Sequence, residues 1–369
     1  MLNYIPEHFY NNYFEPILKE TFEKVEQDFQ DNIQKYKEEF ISNFIEISKK
    51  INSDYKNIKV SYLSYNLMLT KIINNDYKYN IYIYDKDWYL KGDIKIGEYN
   101  VDYIYKYYKE MWDKLLKEAR GYVFKINSTD ISNIMIKIID KFHNYIVSVM
   151  RNSIVELTEI LEYQKLNKEN VFNIHTGKFY DVYDLIYTEN SEKNIIKIKR
   201  WLSKKLEEEY CNEDFRDLDL NNFNLERCDL RGGDFRKSSL QEVDLSYSIL
   251  NGAKFKDSDL RNSNIISSFL SEVNFENADL SGSKMTYSMV CKGKINELVE
   301  VGYLETNLKN TNLTDVDFRN SIFEGLDFSS SVIKNTNFEE CKFKDCIFKK
   351  EQLEELNLTL EQMKEIKIK

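Results

Sequence analysis

Apolar residues follow two different rhythms along this chain, and the first rhythm is helical. Over residues 14–51 apolar side chains recur every three or four positions, so one face of a helix would carry all of them. The pattern predicts a single long amphipathic helix. Its apolar positions are Phe14, Ile17, Leu18, Phe22, Val25, Phe29, Ile33, Tyr36, Phe40, Phe44, Ile47 and Ile51.

The rest of the first 210 residues alternates between strand-like and helical stretches. Residues 59–97 are rich in Val, Ile and Tyr, which predicts a small antiparallel β element joined through the turn-like NND. Helical patterns return at about 101–119, 130–166 and 192–210. A small hairpin is expected around Thr176 and Gly177. Residues 1–210 therefore predict a mostly α-helical domain with a β-hairpin.

The second rhythm has a period of five residues, which fits neither a helix nor a strand. A small residue usually stands two positions before each apolar one, and Asp or Asn often stands between them, as at Asp219, Asp244 and Asn264. A chain that turns a corner every five residues would bury one large and one small side chain at each corner. The apolar run is Phe215, Leu220, Leu225, Leu230, Phe235, Leu240, Leu245, Leu250, Phe255, Leu260, Ile265, Leu270, Phe275, Leu280, Met285 and Val290.

Residue types repeat every twenty positions, which predicts four corners per coil. Phe stands at 215, 235, 255 and 275, and Leu stands at 220, 240, 260 and 280. Like faces would stack at the strand spacing of about 4.8 Å. We therefore predict that the Asp and Asn residues stand at the corners, where their short side chains accept hydrogen bonds from nearby backbone N–H groups.

A second five-residue run follows with its register offset by three. We predict a loop insertion near 296–302 that returns Phe318 and Phe338 to the phenylalanine column. The run comprises Leu308, Leu313, Phe318, Phe323, Phe328, Ile333, Phe338, Phe343 and Phe348.

Residues 213–350 resemble the pentapeptide-repeat family. The stretches that carry this resemblance include CDLRG, VDLSY, SDLRN, ADLSG and TNLTD. The resemblance implies a right-handed quadrilateral β-helix. The expected fold class is α+β multidomain: a mostly helical domain at 1–210, the β-helix at 211–350 and a C-terminal helical cap at 351–369. Helix 192–210 is expected to cap the first coil, since open β-helix ends expose unpaired backbone groups.

Composition indicates the cellular compartment and excludes some classes of binding partner. The formal charge of −10 argues against a general nucleic-acid binder, which needs basic stripes. No secretory signal or apolar run of membrane length occurs. The 5 cysteines lack metal-site spacing and predict free thiols in a cytoplasmic protein. Cys341 and Cys346 fall at small-residue positions, which favours packing over a redox pair.

Candidate chemistry is sparse. The chain has 3 histidines, His8, His143 and His175. His175 is a weak candidate site because it stands beside a turn with Asp181 and Asp184 nearby, but no nucleophile accompanies it at a telling spacing. No phosphate-binding glycine loop, zinc-ligand pair or calcium loop is present. The sequence therefore predicts no catalytic residue, no cofactor and no metal.

Three functional hypotheses remain open. The first is a non-catalytic interaction protein that displays a stiff rod to a protein partner of unknown identity. The second follows from the resemblance, because some family members mimic B-form DNA and bind type II topoisomerases such as gyrase. Residues 211–350 hold 24 acidic against 18 basic residues, and Arg216, Arg231 and Arg261 interrupt any acidic stripe. The third is an enzymatic or toxin-like activity in residues 1–210. We expect no direct nucleic-acid or membrane binding, and a monomer or dimer.

Overall fold

The computed structural model describes residues 5–122, 125–291, 294–296, 299–300 and 304–369. They form two compact units, Met1–Ile186 and Tyr187–Lys369. The sequence had suggested a boundary at 210.

The first unit is mostly helical, as predicted. In chain order it contains α1 (Glu7–Phe9), a π-helical turn (Tyr10–Phe14), α2 (Glu15–Asp54), β1 (Val60–Leu67), α3 (Leu69–Ile73), β2 (Lys78–Tyr84), a 3-10 turn (Trp88–Lys91), β3 (Ile94–Asn100), α4 (Asp102–Ala119), α5 (Ser128–Asn152), α6 (Ile154–Glu159), α7 (Leu161–Gln164), β4 (Lys168–Lys178) and β5 (Tyr183–Asn190). Strand β5 runs across the division between the units.

The predicted long helix is confirmed as α2, which spans 40 residues. It buries Val25, Phe29, Phe40, Phe44 and Ile51. The predicted helix 130–166 is instead three helices, α5 to α7. Helix α5 begins with a capping box, in which the backbone N–H of Asp130 donates to Asn127 Oδ1 at 3.0 Å and Asp130 Oδ2 accepts from the Asn127 N–H at 2.8 Å.

The β element is larger than predicted and mixed in direction. Its strand order is β3-β2-β1-β4-β5, with β1 antiparallel to β2 and parallel to β4. The expected hairpin is present, since β4 and β5 are neighbours in the sheet and are joined at 179–182, but Thr176 and Gly177 lie inside β4, opposite Tyr65 and Asn66 of β1, rather than at its turn. A local turn signal was overridden by pairing with a strand more than a hundred residues earlier in the chain.

The second unit contains α8 (Ile195–Leu202), then short strands between long runs of corners. These are β6 (Met289–Val290), β7 (Lys294–Asn296), β8 (Val299–Glu300), β9 (Ile322–Glu324), β10 (Lys342–Lys344) and β11 (Cys346–Phe348). The chain ends in α9 (Lys350–Glu354), α10 (Leu360–Lys364) and β12 (Ile366–Ile368).

The second unit is a coil of parallel backbone rungs with a period of twenty residues. Asp214 bridges Asp234, which bridges Lys254, which bridges Asn274, all in parallel. At most corners an N–H reaches back three residues, as from Phe223 to the Leu220 carbonyl at 3.0 Å. The residue before that N–H, here Asn222, usually has a positive φ, which the type II turn requires.

The aromatic ladders follow the same period. Phe215, Phe235, Phe255 and Phe275 stack with ring centroids 4.9, 5.0 and 5.4 Å apart. The interior is therefore built of side-chain columns that run along the coil axis, as the residue-type columns of the sequence predicted.

The register changes between the two five-residue runs. Asn274 bridges Asn307, which stands 33 residues later rather than twenty, so the insertion amounts to thirteen residues. The expected return of Phe318 to the phenylalanine column is therefore wrong. Lys284 bridges Asp317, so Phe318 continues the column of Met285. Of the predicted loop at 296–302, residues 297–298 and 301–302 lie outside the described residues; β7 and β8 pair antiparallel within the insertion.

Other segments pack on the two ends of the coil. Leu202 of α8 belongs to the same buried cluster as the coil interior, and the Trp201 ring lies 6.1 Å from Phe215. At the other end the Gln362 side chain donates to the Phe338 and Cys341 carbonyls at 2.9 and 3.0 Å. The predicted helix in the C-terminal segment stops at Lys364, and β12 adds a parallel rung beside β11.

Candidate interaction surface of the coil

Every five-residue step divides its side chains between the interior and the surface. All predicted core residues lie in the interior and are at most 5% exposed. This set is Phe215, Leu220, Leu225, Leu230, Phe235, Leu240, Leu245, Leu250, Phe255, Leu260, Ile265, Leu270, Phe275, Leu280, Phe318, Phe323, Phe328, Phe338, Phe343 and Phe348. A surface function of the coil must therefore come from the remaining positions.

The residue just before each core residue points outward, and on most faces it is polar. Asp244 Oδ1 accepts from the Ser246 backbone N–H at 3.0 Å, and Asp259 Oδ1 accepts from the Arg261 N–H at 3.2 Å. These are the local backbone bonds that short acidic side chains make at turns. Most Asp and Asn residues of the coil thus stabilise the turns of the backbone.

Several of these carboxylates are also paired with arginines two residues later. Arg261 donates from Nε and Nη2 to Asp259 at 2.9 and 2.8 Å, and Arg319 contacts Asp317 in the same way. The hydrogen bond from Arg261 holds the pKa of Asp259 below its ordinary value, although partial burial acts in the opposite direction. These bidentate pairs break up the negative charge on the surface of the coil.

A buried network of charges occupies the start of the coil. Asp234 is fully buried and accepts from Arg236 Nε and Nη2 at 2.8 and 2.7 Å. Asp214 accepts from Lys193 Nζ at 2.5 Å. Burial and the charge of Asp214 raise the pKa of Glu213 to about 7. Such a network costs desolvation and is weak evidence for stability, but removing one member would leave a buried charge unpaired.

One face of the coil departs from the polar rule. Its outward residues Ile249, Phe269, Met289 and Ile322 are bridged in sequence from rung to rung. We call these four residues the apolar stripe. They are half-buried, and their neighbours in the stripe lie directly above and below them. On the next face of the same coils the matching residues are polar: Asp244, Asn264, Lys284 and Asp317.

Two exposed tyrosines border the apolar stripe. Tyr247 and Tyr287 are 53% and 62% exposed, and we call this pair the tyrosine edge. Both stand at the corner position, with φ of 59° and 57°. Most other corners carry Gly, Asn or Asp, which tolerate the left-handed backbone conformation. Other L-residues adopt that conformation at a cost of about 1–2 kcal/mol. Large rings held at that cost beside an apolar stripe indicate a role for the surface rather than for the coil.

The histidines lie in the first unit and do not form a catalytic constellation. His143 is buried, with Nδ1 2.8 Å from the Tyr79 hydroxyl and Nε2 3.4 Å from Asp184 Oδ2. Asp184, which stands near His175 in the sequence, therefore contacts His143 in the structure. Exposed His8 contacts the Tyr122 hydroxyl.

The weak candidate His175 is surrounded by aromatic rings. The rings of Tyr62, Trp88 and Tyr183 lie 5.7, 5.2 and 6.2 Å from its own. Burial lowers the pKa of His175 to about 4, so the ring is neutral near pH 7. Its Nδ1 is buried and has no hydrogen-bond partner among the residues that the structure describes. A general base needs an oriented proton path, and no described carboxylate provides one here.

The cysteines are free and poorly reactive in this environment. Cys341 Sγ lies 2.9 Å from the Phe318 carbonyl oxygen, and Cys346 Sγ lies 3.4 Å from that of Phe323. Burial raises the pKa of the Cys341 thiol to about 12. The described parts of the chain contain no cluster of side chains that could hold a metal ion. Within them, no helix is long and apolar enough to cross a membrane.

Comparison with known families decides the nature of the coil. The model of pentapeptide repeats matches in 8 copies, at residues 214–246, 238–277, 258–289 and 305–349. The coil is a pentapeptide-repeat domain. The copies leave a gap at 290–304, which coincides with the insertion between the two runs of this domain.

Solved structures similar to this chain include other pentapeptide-repeat proteins. Full-length QnrB1, described as a plasmid-mediated fluoroquinolone resistance protein, is 15% identical over 44% of this chain and 86% of its own, with a TM-score of 0.32. HetL of Nostoc sp. strain PCC 7120, involved in regulation of heterocyst differentiation, is 18% identical over 37% of this chain and 68% of its own, with a TM-score of 0.23. No curated protein sequence matches the chain.

The apolar stripe of the pentapeptide-repeat domain was not predicted above, although the sequence carries a signal for it. Asp or Asn recurs at the outward position through most of the repeats but is replaced by Ile249, Phe269 and Met289 at twenty-residue intervals. The outward columns of residue types therefore distinguish this face from the polar ones, as the inward columns distinguish the four sides of the core.

Proposed function

We propose that this chain is a non-catalytic protein that binds other proteins through its pentapeptide-repeat domain. The contact surface is the apolar stripe with the tyrosine edge. The observation that supports this proposal most is the column of Ile249, Phe269, Met289 and Ile322 on an outer face. Apolar and aromatic side chains with few charges are typical of the centre of a protein interface, and Tyr is enriched among its energetic anchors.

In this proposal the domain serves as a rigid support. Residues 211–350 form a right-handed coil, helix α8 and the segment 351–369 act as caps, and residues 1–210 position the coil. Covered ends prevent the coil from adding strands of a second chain. The free thiols, of which Cys228, Cys341 and Cys346 are buried, agree with a reducing compartment such as the cytoplasm.

The two alternative hypotheses find less support. Mimicry of B-form DNA at a type II topoisomerase needs ordered negative charge, whereas arginines neutralise Asp229, Asp259 and Asp317 on the surface. We expect no inhibition in a gyrase supercoiling assay. An activity in residues 1–210 would rest on His175, which lacks an acid or base partner among the described residues.

Affinity capture with matched variants tests the proposal. Phe269→Asn places on the stripe the residue that the neighbouring face carries at Asn264. Val332→Asn makes the same kind of change at an exposed apolar residue, 55% exposed, on another face. Wild type and Val332→Asn should capture the same proteins from cells that express the chain, and Phe269→Asn should lose them. The proposal fails if all three chains capture the same set or if none captures any.

A further inference from the structure

The sheet of the first unit buries two asparagines on the face that Tyr82 and His175 share. Asn66 of β1 stands directly opposite Asn80 of β2, and residues in such a pair point to the same face. Asn66 is fully buried and Asn80 is 6% exposed. We call these two residues the asparagine pair. Two residues along each strand, Ser64 stands opposite both Tyr82 of β2 and His175 of β4.

Each amide of the asparagine pair has one atom without a partner. Asn66 Oδ1 accepts from the Ser64 hydroxyl at 2.8 Å, and Asn80 Nδ2 donates to the Tyr82 hydroxyl at 3.3 Å. The remaining atoms, Asn66 Nδ2 and Asn80 Oδ1, are buried and have no hydrogen-bond partner among the residues that the structure describes. An unused donor therefore lies beside an unused acceptor. Apolar residues would fill this face without burying unpaired polar atoms, so the stability of the fold does not explain the asparagines.

A short turn lies over the asparagine pair. Residues 179–182 connect β4 to β5, and we call them the lid. The Phe179 ring of the lid stacks on the Tyr82 ring with centroids 5.3 Å apart. Gly177 of β4, opposite Asn66, leaves room for this turn, because a Cβ there would lie 2.6 Å from a backbone carbonyl oxygen of the lid. The lid therefore covers the part of the face where the asparagine pair stands.

The lid is tied to the sheet through Asp93 and contains a strained residue. Tyr180 of the lid donates to Asp93 Oδ2 at 2.6 Å, while Tyr84 of β2 donates to Asp93 Oδ1 at 3.0 Å. Tyr180 has a φ of 58°, in the left-handed region that L-residues other than Gly, Asn and Asp rarely adopt. Strained residues of this kind concentrate at ligand clamps and switch regions. An exposed turn with a strained corner opens at a lower cost than the strands that it connects.

The surroundings of the asparagine pair favour an uncharged ligand. The buried residues that the structure describes in the first unit include no Asp, Glu, Lys or Arg. Burial lowers the pKa of His175 to about 4, so its ring is neutral near pH 7. Glu98 stands opposite Asn80 on the edge strand β3, but it is exposed and accepts from Lys71 and Lys95 at 2.8 and 2.7 Å. Aromatic walls with a few convergent polar groups are typical of pockets for small molecules, and an uncharged pocket does not offset the desolvation of an ion.

We propose that, when the lid opens, the asparagine pair binds a small uncharged planar molecule whose edge offers a hydrogen-bond acceptor next to a donor. Asn66 Nδ2 donates to the acceptor, Asn80 Oδ1 accepts from the donor, and the ring of the ligand replaces Phe179 on the Tyr82 ring. Proteins hold nucleobases by such stacking and edge contacts, and aromatic carboxamides such as nicotinamide present the same edge. This site belongs to the first unit, whereas the contact surface proposed above belongs to the coil, so either can fail without the other.

Saturation-transfer difference NMR of the full chain tests this inference with adenosine, uridine and nicotinamide as probes. At least one of them should bind with a dissociation constant below about 1 mM. Binding of a nucleoside alone identifies a nucleobase site, and binding of nicotinamide alone identifies a carboxamide site. Where adenosine binds, purine riboside, which lacks the 6-amino donor, should bind at least about tenfold more weakly. If no probe binds, the asparagine pair holds only buried water and the inference is overturned.

Three variants locate the site. Asn80→Val should weaken binding of the probe at least about tenfold and keep or raise the melting temperature, because it removes a buried acceptor that has no partner. Asn170→Val makes the same change at an exposed residue of β4 and should leave binding unchanged. Phe179→Ala should strengthen binding about threefold or more, since it removes the ring that occupies the place of the ligand.

The same variants can overturn the inference. Unchanged binding by Asn80→Val places the ligand elsewhere, and failure of this variant to fold, measured by circular dichroism, makes Asn80 a structural residue. Phe179→Ala tests the site independently of that variant. If it weakens binding, the Phe179 ring is part of the wall and does not occupy the place of the ligand.

Discussion

Two phenylalanines of the same coil offer a direct comparison between its interior and its surface. Phe255 is fully buried between Phe235 and Phe275, with ring centroids 5.0 and 5.4 Å away. Phe269 stands outward in the apolar stripe and is half-buried. Phe255→Ala should destabilise the coil by about 3–5 kcal/mol, the usual cost of deleting a buried ring. Phe269→Ala loses only cross-strand contacts and should cost about 1 kcal/mol or less.

Hydrogen exchange measured by mass spectrometry on the full chain reports the opening of each unit separately. The informative amides are those of the rungs, such as Phe255 N–H, which donates to the Asn274 carbonyl at 2.7 Å. Because each rung contacts only its neighbours, Phe255→Ala should raise exchange most in the adjoining coils. Opening free energies that differ by less than about 1 kcal/mol between the two variants would refute the assignment of inward and outward positions.

Three further predictions concern the coil. Because the pKa of Glu213 is raised, its protonated form favours the fold, and this stabilisation is lost as pH rises through about 7. Urea unfolding should show the wild type losing about 2–3 kcal/mol more than Glu213→Gln between about pH 5 and 8, and equal losses would contradict this. Cys341 should resist iodoacetamide near pH 8 until the chain unfolds, since its thiol is buried with a raised pKa; rapid labelling of the native chain would disprove it. Leu260→Asp should unfold several coils because it buries an unpaired charge, whereas Arg261→Asp removes only the exposed ion pair with Asp259 and should lower the melting temperature far less.

The sequence predicted the coil well because its interior repeats locally. Each corner needs one large and one small residue within five positions, so the pattern can be read without knowing distant contacts. Helix α2 was equally predictable from the sequence, because the apolar positions of a helix of 40 residues recur over many turns.

The insertion shows where periodicity stops being informative. An offset of three residues is the same for an insertion of three and for one of thirteen, because the corners recur every five residues. The backbone pairing, as of Lys284 with Asp317, is what shows that Phe318 continues the column of Met285. The residue types in a column before the insertion do not show which column after the insertion continues it.

The mixed sheet and the charge network depend on contacts between distant parts of the chain. Strand β4 pairs in parallel with β1, which no local pattern of turns or apolar residues reveals. The apolar stripe is different, because its signal was present in the sequence at Ile249, Phe269 and Met289. That signal lies in the outward positions, whereas the five-residue repeat itself is defined by the buried ones.

A photo-crosslinking residue placed at one outward position on each face of one coil would test the central claim most directly. Asp259, Asn264, Phe269 and Asn274 are the outward residues of four successive faces. If the apolar stripe is the binding surface, irradiation of cells should give protein adducts at 269 and little at the other three positions. Adducts of equal yield on all faces, or adducts at 259, 264 or 274 without any at 269, would contradict the account.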